Sequence, residues 1–345
     1  MRCHVSQGGI SHLMSSQAEI IQAAAILREG GLVAFPTETV YGLGANAMNE
    51  NAVRKIFAAK HRPWDHPLIV HLASLSQLAD WASYVSPDAL LLAQAFWPGP
   101  LTLILEKQPW VLDAVTGGQA TVGLRMPKHP IAQALLQTFG GGVAAPSANQ
   151  FTHLSPTTAQ AVYEELGASV EMILEGGACE VGLESTIIDM SRDEPTILRP
   201  GMISAQAIAT VLGRSVTAFG RMQAMQKVPG MHLLHYAPMT KTRLIASADI
   251  PGLWRLLTSD DLPAVLLTYS HHLNDLPSLR GAGGVDLLLK EVMASDPTAY
   301  AHDLYRTLRR LDQQHLKQII IEAVPETAAW EAIRDRLSKA SGSTG

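Results

Sequence analysis

Short apolar runs, each closed by proline, glycine or a charged residue, alternate along this chain with segments whose apolar residues recur at helical spacing. That alternation excludes a helix bundle and an all-β sandwich, because strands joined through helices build a sheet with helices on its faces. The first helix reads from Ser16, with Ile20, Ile21, Ala24, Ala25 and Leu27 on one stripe and Gly30-Gly31 as a left-handed stop. A strand follows from Leu32 to Phe35. Pro36 ends it, so Thr37 to Gly44 reads as a loop where polar groups can be aimed without entering a core. A helix from Asn49 to Lys60 leads through His61-Arg62-Pro63 into an apolar strand, Leu68 to Leu72. Further strands are expected at 101–105, 122–125, 143–145, 172–174, 185–189 and 196–198.

With 345 residues, 47% hydrophobic and 17% charged, the chain has the length for two domains and is too apolar to be disordered. The pattern fades after Gly213, and 214–242 reads as a linker with four methionines and no sustained period. Beyond it, strand-like 243–246, 264–268, 285–289 and 318–322 alternate with helical segments, which predicts βαβ units and a mostly parallel sheet. Tyr300, Leu304, Leu308 and Leu311 mark one face of a helix there. Residues 1–13 read as an extension, with Met14 a second candidate start.

The formal charge is -5, with 11 basic and 18 acidic residues in 1–213 against 15 and 13 in 214–345. No global positive field is available to coat a nucleic acid, so an anion site in the first half has to be a local cluster. Two cysteines, Cys3 and Cys179, give no disulfide framework and no CxxC pair, which points to a reducing, cytoplasmic setting. No apolar run approaches the roughly 18 residues of a membrane span, and no basic-then-apolar leader opens the chain.

Neither GxxxxGK[ST] nor GxGxxG after a strand is present. Gly140-Gly141-Gly142 reads as a turn into a strand. His61, His66 and His71 are spaced by five, which puts them on neither one helix face nor one strand face and disfavours zinc, as does the bare three-residue spacing of His232 and His235. The scarce cations are more telling: Lys60 and Arg62 follow a helix, while Arg125 and Arg199 end strands. Together they suit a substrate carrying both carboxylate and phosphate. Ser147 and Asn149 follow small residues, and Ser185 enters a strand, without the partners of a nucleophilic serine.

Read in order, these pieces resemble the Sua5/YrdC/YwlC family of threonylcarbamoyl-AMP synthases. The motifs are Phe35-Pro36-Thr37-Glu38-Thr39-Val40-Tyr41-Gly42-Leu43-Gly44, Lys60-His61-Arg62-Pro63, Pro67-Leu68-Ile69-Val70-His71, Trp97-Pro98-Gly99-Pro100-Leu101-Thr102, Arg125-Met126-Pro127, Ala145-Pro146-Ser147-Ala148-Asn149, Glu184-Ser185-Thr186-Ile187 and Leu198-Arg199-Pro200-Gly201. Pro229-Gly230-Met231 and His235-Tyr236-Ala237-Pro238 resemble the linker of the longer Sua5 form. The implied fold is a YrdC-like twisted mixed sheet with helices over 14–213, followed by a smaller Rossmann-like C-terminal domain over 243–342.

The resemblance implies that L-threonine, bicarbonate and ATP give threonylcarbamoyl-AMP and pyrophosphate, for t6A at position 37 of tRNA, with Mg2+ carried by the nucleotide and downstream transfer machinery as a partner. It implies that Arg125 forks the threonine carboxylate, with Thr39, His71, the Ala145 backbone and Ser185 completing that pocket. Arg62, His66, Thr121, Ser147, Ser155 and Arg199 would contact ATP. Lys60 and Asn149 complete a Lys-Arg-Ser-Asn catalytic set with Arg62 and Ser147, and His235 and Tyr236 cover the nucleotide. Two positions depart from the pattern: His66 stands where Asn is usual before Pro-Leu, and Asp335 where Asn is common. An RNA-binding module without turnover, touching double-stranded RNA or tRNA weakly, is the alternative, and a hydrogenase-maturation carbamoyltransferase a third reading.

Overall fold

The computed structural model describes residues 14–217, 227–230, 235–273, 276 and 288–342. The expected extension, Cys3, Met231, His232 and the first three positions of the strand expected at 285–289 lie outside these residues. The chain divides into two compact units, one running to Pro229 apart from 152–154, the other comprising 152–154 and the residues from Gly230 onward.

In the first unit nine strands form one sheet: β1 (Val33–Phe35), β2 (Gly42–Asn46), β3 (Ile69–His71), β4 (Leu101–Glu106), β5 (Thr121–Arg125), β6 (Val143–Ala144), β7 (Met172–Ile173), β8 (Thr186–Asp189) and β9 (Thr196–Arg199). Their order is β7-β1-β2-β6-β3-β5-β4-β8-β9. The sheet is mixed: β3 runs parallel to β5 and β4 to β8, while β5 pairs antiparallel with β4 and β3 with β6. Helices fill the connections where caps allow. Ser16 closes a capping box with Glu19 at the start of Gln17–Arg28, and Asn49 caps Glu50–Lys60.

Because strand side chains alternate, the sheet has two faces with separate fates. One carries Ala34, Leu43, Ala45, Val70, Leu103, Leu124, Ala144, Ile188 and Ile197, all buried against helices that include Val53, Ile56 and Phe57. On the other face, Val33, Phe35, Val143 and Ala145 are covered by Ala24 and Leu27 of the first helix and Leu135 of Pro130–Phe139. The β3–β9 half of that face is different. Among the described residues, Ile69, Ile104, Ile187 and Leu198 are packed there against Val228, from the middle of the expected linker, rather than against a helix.

Strand β2 falls partly inside the segment read as a loop. Glycine-rich Gly42-Leu43-Gly44 has low strand propensity, yet it pairs antiparallel with β1, Val33 opposite Gly44. The packing explains this: a Cβ at Gly44 would stand 2.8 Å from Phe35 and 2.9 Å from Val143. Gly140 ends its helix at φ +80° just before β6, the turn expected of that glycine run.

The second unit holds β10 (Lys241–Ile245), β11 (Ala264–Thr268), β12 (Leu288–Val292) and β13 (Gln318–Glu322), all parallel, in the order β10-β13-β11-β12. Asp296 caps the helix Pro297–Asp312, and Tyr300, Leu304, Leu308 and Leu311 are its buried stripe. At the C-terminal end of β13, Glu322 accepts from the hydroxyls of Ser247, Thr268 and Ser270 and from the N–H groups of Tyr269 and Ser270 at 3.1 Å. That carboxylate ties together the ends of three strands.

Candidate functional site

Among the described residues, the sheet half packed against Val228 rather than a helix is where the polar motifs collect. Register places His71 beside Arg125 on β3 and β5, and Thr102 opposite Ile187 on β4 and β8. His71, Arg125 and Thr102 share the face of Ile69, Ile104 and Gly123, since their neighbours Val70, Leu124 and Leu103 all point into the opposite core. The floor is apolar and the rim is charged.

At one end, Arg125 is buried and Nη2 donates to Glu38 Oε1 at 2.6 Å and Thr39 Oγ1 at 2.9 Å, while Nε donates to the Gly99 carbonyl at 3.3 Å. Thr39 is held in turn by Thr37, whose hydroxyl lies 2.8 Å away. Gly99 belongs to the Trp97–Thr102 motif, pinned by its N–H to Met126 at 2.8 Å and by Trp97 Nε1 to the Leu101 carbonyl at 2.7 Å. His71 stacks edge-on against Phe35 with ring centres 5.9 Å apart. Burial first, then the Arg125 charge, holds its pKa down to about 3, so the ring is neutral. The Ala145 N–H is taken by the Ile69 carbonyl at 2.9 Å. Ala145 therefore has its carbonyl, not its N–H, to offer a ligand.

Ser185 lies at the start of β8, its Oγ 2.8 Å from Thr102 Oγ1 and 3.2 Å from Arg199 Nη2. Arg199 clamps the Ser185 carbonyl through Nε at 3.1 Å and Nη2 at 2.9 Å, and reaches the Pro229 carbonyl with Nη1 at 3.1 Å. Thus Arg199 is tied to Ser185, expected in the amino-acid pocket, as well as to the segment beyond 226. Ser155 donates to Glu184 Oε1 at 2.5 Å.

At the other end, Thr121 lines a cavity with Pro67, Ile69, Ile104, Val228 and Pro229. Arg62, buried, donates to the Pro67 carbonyl at 3.0 Å. His66 packs edge-on against Phe151 at 5.5 Å and stands 3.7 Å from Asp65, which itself pairs with Lys227 at 2.6 Å. Lys60 is buried and donates to the carbonyls of Ser147, at 2.6 Å, and Asn149. Burial, and then the Arg62 charge, holds its ammonium well below the usual lysine range, with Glu165 opposing. Asn149 is buried and donates from its amide to the Gln150 carbonyl at 2.7 Å.

His235 and Tyr236 belong to the second unit. Tyr236 is stacked on Tyr305 at 5.9 Å and lies under the Arg336 guanidinium at 5.0 Å. Asp335, at the family-atypical position, pairs with Arg336 at 2.5 Å and Lys339 at 2.7 Å. Sequence reasoning quoted Glu38 and Thr102 inside motifs but gave them no role, and passed over Val228. Only the side-chain contacts reveal all three. Among the described residues, no three His, Cys, Asp or Glu side chains are grouped to hold a metal ion.

The chain is similar to known proteins over nearly its whole length. Residues 25–201 match the Sua5/YciO/YrdC family, described as Telomere recombination, and residues 203–342 match the family described as Threonylcarbamoyl-AMP synthase, C-terminal domain. The threonylcarbamoyl-AMP synthase of Pyrococcus abyssi is 39% identical over 323 residues, 93% of either chain. That of Bacillus subtilis is 40% identical over 335 residues, 96% of this chain and 95% of the relative. A crystal structure of P. abyssi Sua5 complexed with L-threonine superposes with a TM-score of 0.85 at 38% identity, covering 95% of each chain.

Proposed function

The chain belongs to the Sua5/YrdC family of threonylcarbamoyl-AMP synthases, and from that we infer that it makes threonylcarbamoyl-AMP from L-threonine, bicarbonate and ATP, releasing pyrophosphate and water. The product serves t6A formation on tRNA, handed on to separate transfer machinery. In this reading the enzyme is a nucleotidyltransferase. The threonine amine takes up bicarbonate-derived CO2 as a carbamate, a carbamate oxygen bonds to the α-phosphorus, and the bond to the pyrophosphate leaving group breaks.

What supports it above all is the apolar patch of Ile69, Ile104, Ile187 and Leu198, packed against Val228 and bordered by Arg125 at one end and by Arg62, bonded to the cavity-lining Pro67, at the other. Such a floor takes a small, partly apolar molecule, and such a rim takes its anionic groups. The chemistry asks for no protein nucleophile, so the residues act by positioning and by stabilising charge. Arg125, Thr39, His71, the Ala145 carbonyl and Ser185 hold threonine. Arg62, Arg199, Lys60, Ser147, Asn149, Thr121, Ser155 and His66 face the nucleotide. Mg2+ enters as part of the nucleotide substrate, bound by its phosphates.

The test is pyrophosphate release by the full chain. Release should require threonine, bicarbonate and ATP together, and Arg125→Ala should raise the threonine KM by about ten- to a hundredfold, the loss of one charge-assisted hydrogen bond. Pyrophosphate release indifferent to threonine would overturn the assignment; an unchanged threonine KM in Arg125→Ala would remove only that residue.

A further inference from the structure

Glu38 is used by none of the roles above, yet its carboxylate is paired with Arg125. Its side chain is 4% exposed, and it is anchored at both oxygens. Oε1 accepts from Arg125 Nη2 at 2.6 Å and Oε2 from the Lys128 N–H at 2.9 Å. Its backbone is fixed too, the carbonyl accepting from the Val181 N–H at 2.7 Å. Both side-chain partners are donors, so the ionised carboxylate satisfies both. A glutamine would turn its NH2 towards one of them.

The consequence falls on Arg125. A guanidinium binds a carboxylate side-on through Nε and Nη2 or end-on through its two terminal nitrogens. Here the side edge is spent within the protein, Nε on Gly99 and Nη2 on Glu38 and Thr39. Nη1 makes no hydrogen bond among the described residues. We propose that Glu38 is a positioning residue for the amino-acid site: by holding Nη2 of Arg125, beside the Gly99 carbonyl on Nε, it leaves Nη1 facing the substrate, whose carboxylate is then met through Nη1 alone. This replaces the two-nitrogen fork expected of Arg125 from the resemblance. It also gives the buried guanidinium a counter-charge between turnovers, since a buried cation without one is strongly disfavoured.

The proposal rests on the threonine site assigned above, and its test separates the two. Initial rates of pyrophosphate release by the full chain are measured against threonine at saturating ATP, and against ATP at saturating threonine, for the wild type, Glu38→Gln and Thr39→Val, each with a thermal melt. Glu38→Gln should raise the threonine KM about tenfold or more with the ATP KM unchanged, because one anchor of the guanidinium is weakened and the Lys128 N–H faces an amide donor. Thr39→Val, which removes a neutral acceptor and keeps the ion pair, should raise it by a smaller factor, about two- to fivefold. A folded Glu38→Gln whose threonine KM equals the wild type's, or whose threonine and ATP KM rise together, overturns the positioning role. Should Glu38→Gln not fold, Glu38→Asp, which keeps the charge but shortens its reach to Arg125, decides, and an unchanged threonine KM there overturns it. A wild type that releases no threonine-dependent pyrophosphate refutes the site assignment itself.

Discussion

At the end of β3, His71 is buried against Phe35 with Nδ1 lacking a hydrogen-bond partner, and its pKa is held at about 3. In the unfolded chain the same ring titrates near 6.5. The depressed folded value means that the unfolded state takes up the proton first as pH falls. The stability contributed by the neutral ring is therefore complete above about pH 6.5 and lost progressively towards pH 3. Between pH 6.5 and 5, above most carboxylate titration, the loss is about 2 kcal/mol. His71→Phe keeps an aromatic body in contact with Phe35 and has no proton to bind. Urea midpoints at pH 7, 6 and 5 should fall for the wild type by that much more than for the variant; parallel declines would show that His71 does not carry the acid limb. At this scale the sequence was legible by residue type and motif, not by bonding. Arg125 was singled out as a strand-end cation, but nothing in its spacing shows that Glu38 occupies its Nη2, because that pairing spans 87 positions.

Several elements whose apolar residues set a clear period were read where they lie, while the strand expected at 285–289 is described at Leu288–Val292. The helix with Tyr300, Leu304, Leu308 and Leu311, and strands β11 and β13, lie where the pattern put them. Strand β2 was missed for a physical reason: its position is fixed by neighbours, not by propensity, with glycines admitting Phe35 and Val143 to the backbone. The packing makes Gly44→Ala an overpacking change, expected to destabilise by about 1–3 kcal/mol. Gly252 is the contrast. It lies in the helix Ile250–Leu256 with open space where a Cβ would be, so Gly252→Ala should stabilise by up to about 1 kcal/mol through helix propensity alone. Chemical denaturation of the two variants measures both signs. A neutral Gly44→Ala would mean that β1 and β6 can part to admit a methyl group, and the account of β2 would fail.

Over the whole molecule, the charge of -5 matters less than where the cations are spent. In the first unit Arg54 pairs with Glu50, Lys107 with Asp113, Arg214 with Asp88 and Lys227 with Asp65. In the second, Arg306 pairs with Asp303, Arg310 with Glu291 and Lys339 with Asp335. Lys60, Arg62, Arg125 and Arg199 are buried at the candidate site. A polyphosphate backbone would have to displace carboxylates to engage the paired surface cations, and each displacement cancels part of the counterion-release gain that drives such binding. The chemistry assigned here needs only small molecules in any case. Bulk tRNA should therefore bind the full chain no more tightly than the non-specific range, about 10⁻⁴ to 10⁻⁶ M at physiological salt, with a shallow dependence on salt. Adding it should leave threonine-dependent pyrophosphate release unchanged. Filter binding from 50 to 200 mM salt, run beside the turnover assay, decides the matter: nanomolar affinity with a salt slope equivalent to six or more phosphate contacts would place an RNA surface on this chain that its ion pairing does not predict.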